Sequence, residues 1–307
     1  MTDTKPIRRI TVVGTGVIGA SWSALFLANG LEVVANDVAA TAEASLRKFV
    51  ASAWPALERL GLAPGASPDN LAFTTSLEKA VEGTDFVQEN GPERIGLKQS
   101  LYEHLDGLLP PAVIIASSSS GLPMSQIQAG ARAHPERCVI GHPFNPPHLM
   151  PLVEVVGGVQ TAPEVVGRAL AIYTALGKRP IHVRREVKGH IGNRLQWALW
   201  REAVHLVAEG VATVSDIDAA ISEGPGIRWA LMGQHLVYHL GGGTGGMKHF
   251  LDQFAGPIQD WWEDLGRPQL TPLVRQRLID GITAEVAGRR IEDSLPSAIA
   301  CSSKSWH

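Results

Sequence analysis

Several residue types that would indicate a particular class of protein are rare in this chain. The 307 residues include only two cysteines, Cys138 and Cys301, which lie far apart and without CxxC spacing. The sequence therefore argues against a disulfide scaffold and against a cysteine-based zinc site. We expect a reduced protein located in the cytoplasm.

Blocks of like charge and long apolar runs are also lacking. The net charge is -3, and no basic stretch is interleaved with aromatic residues, so we expect no nucleic-acid partner. No segment reaches the roughly 18 to 20 uninterrupted apolar residues of a spanning helix, so we expect no membrane partner. The N-terminal order of basic, apolar and small residues resembles a secretory signal, but its glycines match a different pattern.

A glycine-rich turn follows the first apolar segment. Residues 7–13 (IRRITVV) are typical of a strand, a helical stretch lies beyond the turn, and a second strand ends at Asp37. The turn has the GxGxxG pattern and consists of Gly14, Thr15, Gly16, Val17, Ile18 and Gly19. This order favours a Rossmann-type dinucleotide-binding unit over an ordinary glycine turn, because it brings backbone amides at a helix N-terminus to a pyrophosphate. Asp37 would bind ribose hydroxyls and repel a 2′-phosphate, so NAD is favoured over NADP.

The pattern of predicted elements changes once along the chain. Strands and helices alternate up to about residue 186, and only helical patterns follow. We therefore predict an α/β Rossmann-type doubly wound sheet over residues 1–186 and a smaller all-α domain over residues 187–307. The helix predicted within residues 189–210 has apolar residues on several faces, so we expect a homodimer formed through the helical domain.

His142 and Glu154 lie on either side of a proline-rich loop. His142 ends the strand-like segment ERCVIGH, and Glu154 interrupts the apolar run LVEVV. A charge among valines is costly to bury without a partner, and an imidazole can be that partner. A nicotinamide enzyme that oxidises an alcohol needs a base for the hydroxyl proton, a role that suits histidine. The alternative is that Glu154 faces solvent on an edge strand and His142 is an ordinary loop histidine.

Two more polar groups are expected at the same edge. Ser120 follows a predicted strand and Asn193 opens the helical region, and both can bind a substrate oxygen as its charge changes. A serine hydrolase is not favoured because no GxSxG motif surrounds any serine. A metal site is not favoured either, because His142, His148 and Glu154 lack metal-binding spacing such as HExxH.

Six segments resemble, in order and spacing, the 3-hydroxyacyl-CoA dehydrogenase family: VVGTGVIGASW, QENGPERIGLK, ASSSSGL, GHPFNPP, PLVEVV and GHIGNRL. The resemblance covers nearly the whole chain and implies that His142 is the catalytic base, oriented by Glu154. It also implies that Ser120 and Asn193 contact the substrate. The implied NAD contacts are the glycine loop and three side chains, Asp37, Glu93 and Lys98. The serines before Gly121 depart from the fatty-acid enzymes of the family, so the pocket wall beside Ser120 has changed.

Within the family, the segments AWPALERLGLAPGAS, ALWREAVHLVAEGVAT and GIRWALMG most resemble members that oxidise L-carnitine. This resemblance implies a small 3-hydroxy acid with a trimethylammonium group as the substrate. The alternative substrates are L-gulonate and a short-chain 3-hydroxyacyl-CoA. A further alternative is a non-catalytic, structural role like that of lambda-crystallin. Arg228 would supply a cation for the carboxylate, unless it forms a structural ion pair. Trp229 would supply an aromatic face for the ammonium group, unless it packs in the core or at the dimer interface. Phe144 is a further candidate substrate contact.

Overall fold

The structure is a computed structural model that describes residues 7–288. The chain divides into two units, Met1–Gly192 and Asn193–His307. The predicted domain boundary after residue 186 stays a prediction. Cys301 and the C-terminal segment SLPSAIACSSKSWH, to which the sequence assigns no role, lie outside the described residues.

The first unit is built on one sheet of eight strands. In chain order these are β1 (Arg9–Val13), β2 (Glu32–Asn36), β3 (Leu71–Thr74), β4 (Phe86–Glu89), β5 (Ile114–Ser117), β6 (Cys138–Pro143), β7 (Leu152–Gly157) and β8 (Arg179–Val183). Their spatial order is β3-β2-β1-β4-β5-β6-β7-β8, and all neighbours are parallel except β6 and β7. The strand order reverses between β1 and β4, where doubly wound folds bind ligands at the carboxyl ends of the strands.

Apolar residues on both faces of this sheet form the core. Along β6, Val139 belongs to one buried cluster, whereas Cys138 and Ile140 belong to the other, as the alternation of strand side chains requires. The connecting helices that cover the sheet are α1 (Val17–Ala28), α2 (Ala42–Leu60), α3 (Leu77–Val81), α4 (Ile95–Leu108), α5 (Met124–Ile127) and α6 (Pro163–Ala175). Each fully buried large apolar side chain stabilises the fold by about 1.5 to 3 kcal/mol.

Only helices follow the sheet in the described part of the chain. They are α7 (Gly192–Ala208), α8 (Val214–Ser222), α9 (Pro225–Leu231), α10 (Gln234–Gly241), α11 (Gly246–Asp264) and α12 (Pro272–Val286). The predicted architecture, a doubly wound sheet followed by an all-α region, is thereby confirmed. Within residues 7–288, no helix has both the length and the apolar character needed to cross a lipid bilayer.

Candidate active site

The glycine loop, residues 14–19, joins β1 to α1. Gly14 has a φ of +83°, and a Cβ there would lie 2.9 Å from the backbone of Asn90. A Cβ on Gly19 would lie 1.9 Å from the Gly14 carbonyl oxygen, so both positions require glycine. A Cβ on Gly16 would meet nothing within 4 Å, so the space beside this residue is open. No side chain caps α1 and its first turn contains no acid, so its positive end fits an anion such as a pyrophosphate.

Asp37 lies just beyond β2 and is bonded to the glycine loop. Its Oδ2 accepts hydrogen bonds from the backbone N–H and the hydroxyl of Thr15, both at 2.9 Å. Burial would raise the pKa of Asp37, but these bonds and those from nearby backbone amides outweigh it and lower the pKa. The carboxylate is therefore charged at neutral pH, and its contact with a ribose stays a prediction.

A buried ion pair lies below the loop that follows β4. The Lys98 ammonium donates to both carboxylate oxygens of Glu89, at 2.7 and 2.9 Å, and both side chains are buried. Glu89 also accepts from the Ser117 hydroxyl at 2.6 Å. Lys98 is 4.0 Å from Glu93, so its closest charged partner belongs to the sheet itself. A cofactor contact by Lys98 stays a prediction.

The serine-rich stretch at the end of β5 separates into bonded and exposed residues. Ser117 donates to Glu89, Ser118 to Asn90 and Ser119 to Glu93, at 2.6, 2.7 and 2.6 Å. Ser120 is exposed. Three of the four hydroxyls thus hold the fold in place, and the one with a predicted substrate contact faces solvent.

Glu93 holds the serine loop, which we define as residues 118–122. Its Oε1 accepts from the Ser119 hydroxyl and from the backbone N–H groups of Gly121 and Leu122, at 2.6, 2.7 and 3.1 Å. Burial would raise the pKa of Glu93, but these hydrogen bonds outweigh it and lower the pKa. The predicted cofactor residue is therefore an ionised group that fixes the backbone next to Ser120.

His142 and Glu154 are paired across the antiparallel strands β6 and β7. They are directly opposite in register, and His142 Nδ1 lies 2.9 Å from Glu154 Oε2. Both side chains are buried. A carboxylate can only accept, so Nδ1 carries the proton in this contact and the lone pair of the neutral ring is on Nε2. The two residues predicted to act together thus form the geometry of a base and the carboxylate that orients it.

The other carboxylate oxygen of Glu154 is held by the backbone. Oε1 accepts from the backbone N–H groups of Ile191 and Gly192, at 2.8 and 2.9 Å. Burial would raise the pKa of Glu154, but the hydrogen bond from His142 and those from the two amides outweigh it and lower the pKa. The residue therefore presents a full negative charge to His142.

Phe144 forms one wall beside His142. The two ring centroids are 5.8 Å apart, and the rings meet edge to face. A Cβ on Gly192 would lie 2.4 Å from the Phe144 ring, so only glycine at that position leaves the phenyl group where it is. The predicted substrate contact is thus next to the predicted base.

The remaining three predicted residues belong to the second unit. Asn193 is half-buried in the first turn of α7. Arg228 and Trp229 are neighbours in α9. Arg228 is exposed and Trp229 is half-buried. Their roles stay predictions.

The sequence reasoning missed His190. This residue is buried, and its ring centroid lies 5.0 Å from that of His142. The available signal was its place in the segment GHIGN, where two glycines enclose a histidine at the end of the first unit. Its position could not be inferred from that pattern because His142 and His190 are nearly 50 residues apart in the chain.

Family models match both units. Residues 9–187 match the NAD binding domain of 3-hydroxyacyl-CoA dehydrogenase, and residues 189–269 match the C-terminal domain of the same enzymes. The chain belongs to the 3-hydroxyacyl-CoA dehydrogenase family. It is an NAD-dependent oxidoreductase that acts on a CH–OH group, and the resemblance seen in the sequence is confirmed.

Named relatives within this family are similar over nearly their whole length. The L-carnitine dehydrogenase of Burkholderia mallei is 54% identical over 285 residues, which cover 92% of this chain and 88% of that protein. The L-carnitine dehydrogenase of Streptomyces griseus subsp. griseus is 52% identical over 287 residues, 94% of this chain and 85% of that protein.

A solved structure supports the same fold. An NAD⁺-dependent dismutase, 5-formyl-3-hydroxy-2-methylpyridine 4-carboxylic acid 5-dehydrogenase, superposes with a TM-score of 0.80 at 33% identity, covering 94% of this chain and 89% of that one. The (S)-3-hydroxybutyryl-CoA dehydrogenase of Ralstonia eutropha superposes with a TM-score of 0.67 at 26% identity, covering 90% and 95%. The same dehydrogenase fold therefore occurs with substrates of different size.

Proposed function

We propose that this enzyme oxidises the 3-hydroxyl of L-carnitine to 3-dehydrocarnitine with NAD, with His142 as the general base oriented by Glu154. The roles of His142 and Glu154 are supported by the 2.9 Å contact between His142 Nδ1 and Glu154 Oε2. The other carboxylate oxygen of Glu154 accepts from two backbone amides. The substrate part is supported by relatives named L-carnitine dehydrogenase at 54% and 52% identity.

The base acts through its Nε2 atom. Since Glu154 accepts from Nδ1, the neutral ring keeps its Nε2 lone pair for the proton of the substrate hydroxyl. The imidazolium that forms is stabilised by the adjacent carboxylate, as in other His–carboxylate pairs. Bound NAD supplies the hydride acceptor for this oxidation.

The cofactor would be held by the residues at the carboxyl ends of β1, β2 and β4. The open space at Gly16 and the uncapped end of α1 suit the pyrophosphate. Backbone amides of the loop, near Thr15, Val17 and Ile18, are its donors. Asp37 would bind the ribose, and Glu93 and Lys98 would lie on the cofactor side, with their bonds to the serine loop and to Glu89 keeping both in place.

The substrate oxygen would be bound by Ser120 and Asn193 as its charge changes. Phe144, beside the base, and Trp229 would provide aromatic faces for the trimethylammonium group, where a desolvated cation–π contact contributes about 2 kcal/mol. Arg228 would bind the carboxylate with charge-assisted hydrogen bonds that contribute roughly 1.5 to 3 kcal/mol.

A substrate panel tests this proposal. Purified enzyme is incubated with NAD and L-carnitine, D-carnitine, L-gulonate or a short-chain 3-hydroxyacyl-CoA, and NADH formation is followed by absorbance. We expect the highest kcat/KM for L-carnitine, little turnover of the D enantiomer, and a strong preference for NAD over NADP. A higher kcat/KM for L-gulonate or for the acyl-CoA would reject carnitine as the substrate.

We also propose that the enzyme is a cytoplasmic homodimer that associates through its helical domain, residues 187–307. Support comes from α7, on which Leu195, Trp197 and Trp200 are 65%, 55% and 42% exposed. Trp197 and Trp200 are in contact, with ring centroids 5.4 Å apart, and exposed apolar clusters of this kind are typical of protein interfaces. Light scattering coupled to size-exclusion chromatography would show twice the mass of one chain, and a monomer at micromolar concentration would reject the homodimer.

A further inference from the structure

His190 lies in the segment that ends the first unit. It is only 4% exposed, and its ring is tilted by 44° against that of His142 at a centroid distance of 5.0 Å. Its backbone φ of +51° is in the left-handed region, which residues other than glycine uncommonly adopt. Such a backbone conformation persists only where the surrounding contacts hold it.

One contact of His190 shows which ring nitrogen carries a proton. Its Nε2 lies 3.1 Å from the carbonyl oxygen of Ser119, which can only accept, so Nε2 carries a proton. Burial lowers the pKa of His190, and the neighbouring His142 lowers it further, against the raising effects of the Ser119 hydrogen bond and of Glu154 and Glu93. The ring is therefore neutral, with an unprotonated Nδ1 that is buried and without a hydrogen-bond partner in the described part of the chain.

Through this bond His190 is an anchor of the serine loop in addition to Glu93. Glu93 bonds the Ser119 hydroxyl and the amides of Gly121 and Leu122, whereas His190 bonds the Ser119 carbonyl. The residue between these anchors is Ser120, whose own side chain is exposed. The position of Ser120 is consequently determined by two side chains that come from different parts of the sequence.

The backbone that follows His190 is attached to the other half of the site. The next two amides, those of Ile191 and Gly192, donate to Oε1 of Glu154, and Oε2 of the same carboxylate holds His142. The short segment 190–192 is thus hydrogen-bonded to Ser119 through the His190 ring and to Glu154, the partner of His142, through its backbone amides.

We propose that His190 is a positioning residue for the reaction: its neutral, Nε2-protonated ring sets the distance between the serine loop and the His142–Glu154 pair. It is not a second base, because its unprotonated Nδ1 is buried and burial lowers the pKa of the ring. The role rests on the proposed function only in that Ser120 and His142 act on the same substrate oxygen.

Three variants separate the hydrogen bond from ring volume and backbone strain. His190→Gln keeps an N–H donor close to the Nε2 position, His190→Phe keeps the ring without a donor, and His190→Gly relieves the left-handed backbone without either. Because displacement of a reacting group by about 1 Å can lower turnover by as much as ~10²-fold, we expect kcat of the Phe and Gly variants to fall about 10- to 100-fold. KM should change less, and the Gln variant should stay within a few-fold of the wild type.

Thermal unfolding of each variant identifies any that fail to fold, and the comparison is made among those that do. A Phe variant with the wild-type kcat would overturn the proposal. So would equal losses in the folded Gln and Phe variants, because that result would place the role at Nδ1 instead of at the hydrogen bond to Ser119.

A spectroscopic experiment tests the tautomer without any substrate. In protein labelled with ¹⁵N-histidine, the ring resonances absent from His190→Gln belong to His190. We expect the shifts of a neutral, Nε2-protonated ring that persists below the ordinary histidine pKa of 6.5. A charged or Nδ1-protonated ring at neutral pH would contradict the proposal. Failure of the wild type to oxidise L-carnitine would reject the proposed substrate but leave this measurement valid.

Discussion

The two units of the chain bury their side chains in opposite ways. In the α/β unit, charged groups such as Glu89, Lys98 and Glu154 are buried, and each has close hydrogen-bond or ion-pair partners. In the described part of the helical unit, the buried large apolar residues are few: Val204, Ile217 and Val274. Many others there are exposed, including Trp261 at 70% and Trp262 at 65%.

The buried charges of the first unit and the exposed apolar residues of the second have different consequences. A buried carboxylate without partners would cost several kcal/mol, so the α/β unit must satisfy its charges within its own fold, and the geometry of its chemical groups is set in advance. The exposed apolar residues of the helical unit are removed from water only when another surface covers them. Substitutions of buried charged groups in the first unit should therefore affect chemistry, and substitutions of exposed apolar residues in the second should affect association.

Replacing the proposed base should give the largest effect. In His142→Gln no group can take the hydroxyl proton, so we expect kcat to fall by ~10²- to 10⁴-fold, the usual contribution of a positioned base. NAD affinity, measured by quenching of tryptophan fluorescence, should be unchanged. The matched control is His104→Gln on α4, where the histidine is exposed and pairs with Glu78 at the surface. A His142→Gln enzyme that turns over as fast as the control would remove His142 from the mechanism.

Association should respond to the helical unit alone. Trp200 is 42% exposed on α7 and stacks edge to face on Trp197 at 5.4 Å. A charge at this position in Trp200→Glu should weaken a homodimer by roughly 2 kcal/mol or more for each interface tryptophan. Leu97→Glu on α4, where the leucine is 49% exposed, is the matched change in the α/β unit and should leave the dimer intact. Sedimentation at a series of concentrations measures both, and equal dissociation of the two variants would contradict the comparison.

The division into an α/β unit and a helical unit could be predicted from the sequence because local patterns determine most of it. The GxGxxG turn, the strand ending at Asp37 and the later change to helical patterns are each readable within about 30 residues, and parallel strands bring their carboxyl ends to one edge. His142 and Glu154 were inferred from a charge within an apolar strand, and the register of β6 and β7 places them opposite each other.

The contacts that the sequence did not reveal are long-range. Four consecutive serines look equivalent in the sequence, and only the bonds to Glu89, Asn90 and Glu93 distinguish the first three from Ser120. In the same way, the sequence did not reveal that the buried Lys98 pairs with Glu89, and its predicted contact with the cofactor stays a prediction. The pairing of polar groups depends on the packing of strands that are far apart in the chain. It therefore cannot be predicted from the spacing of residues in the sequence.

The smallest predicted effect concerns the contribution of Glu154 to stability. Its pKa is lowered in the folded protein, because the bonds from His142, Gly192 and Ile191 outweigh the opposing effect of burial. The unfolded chain therefore binds a proton at a higher pH than the folded protein does. The stabilisation is complete above the ordinary glutamate pKa of 4.5 and is lost as pH falls through the lowered value.

Glu154→Gln removes this titration. We expect the variant to be about 1 to 3 kcal/mol less stable than the wild type at neutral pH, since a charged acceptor of buried N–H groups is replaced by a neutral one. The difference should narrow as pH falls below 4.5, because the wild type then loses its advantage. Urea unfolding at a series of pH values measures it, with the exposed Glu58→Gln as a control that should follow the wild type throughout. A stability difference that stays constant with pH would show that the paired charge is not what holds the two strands and the segment at Ile191 together.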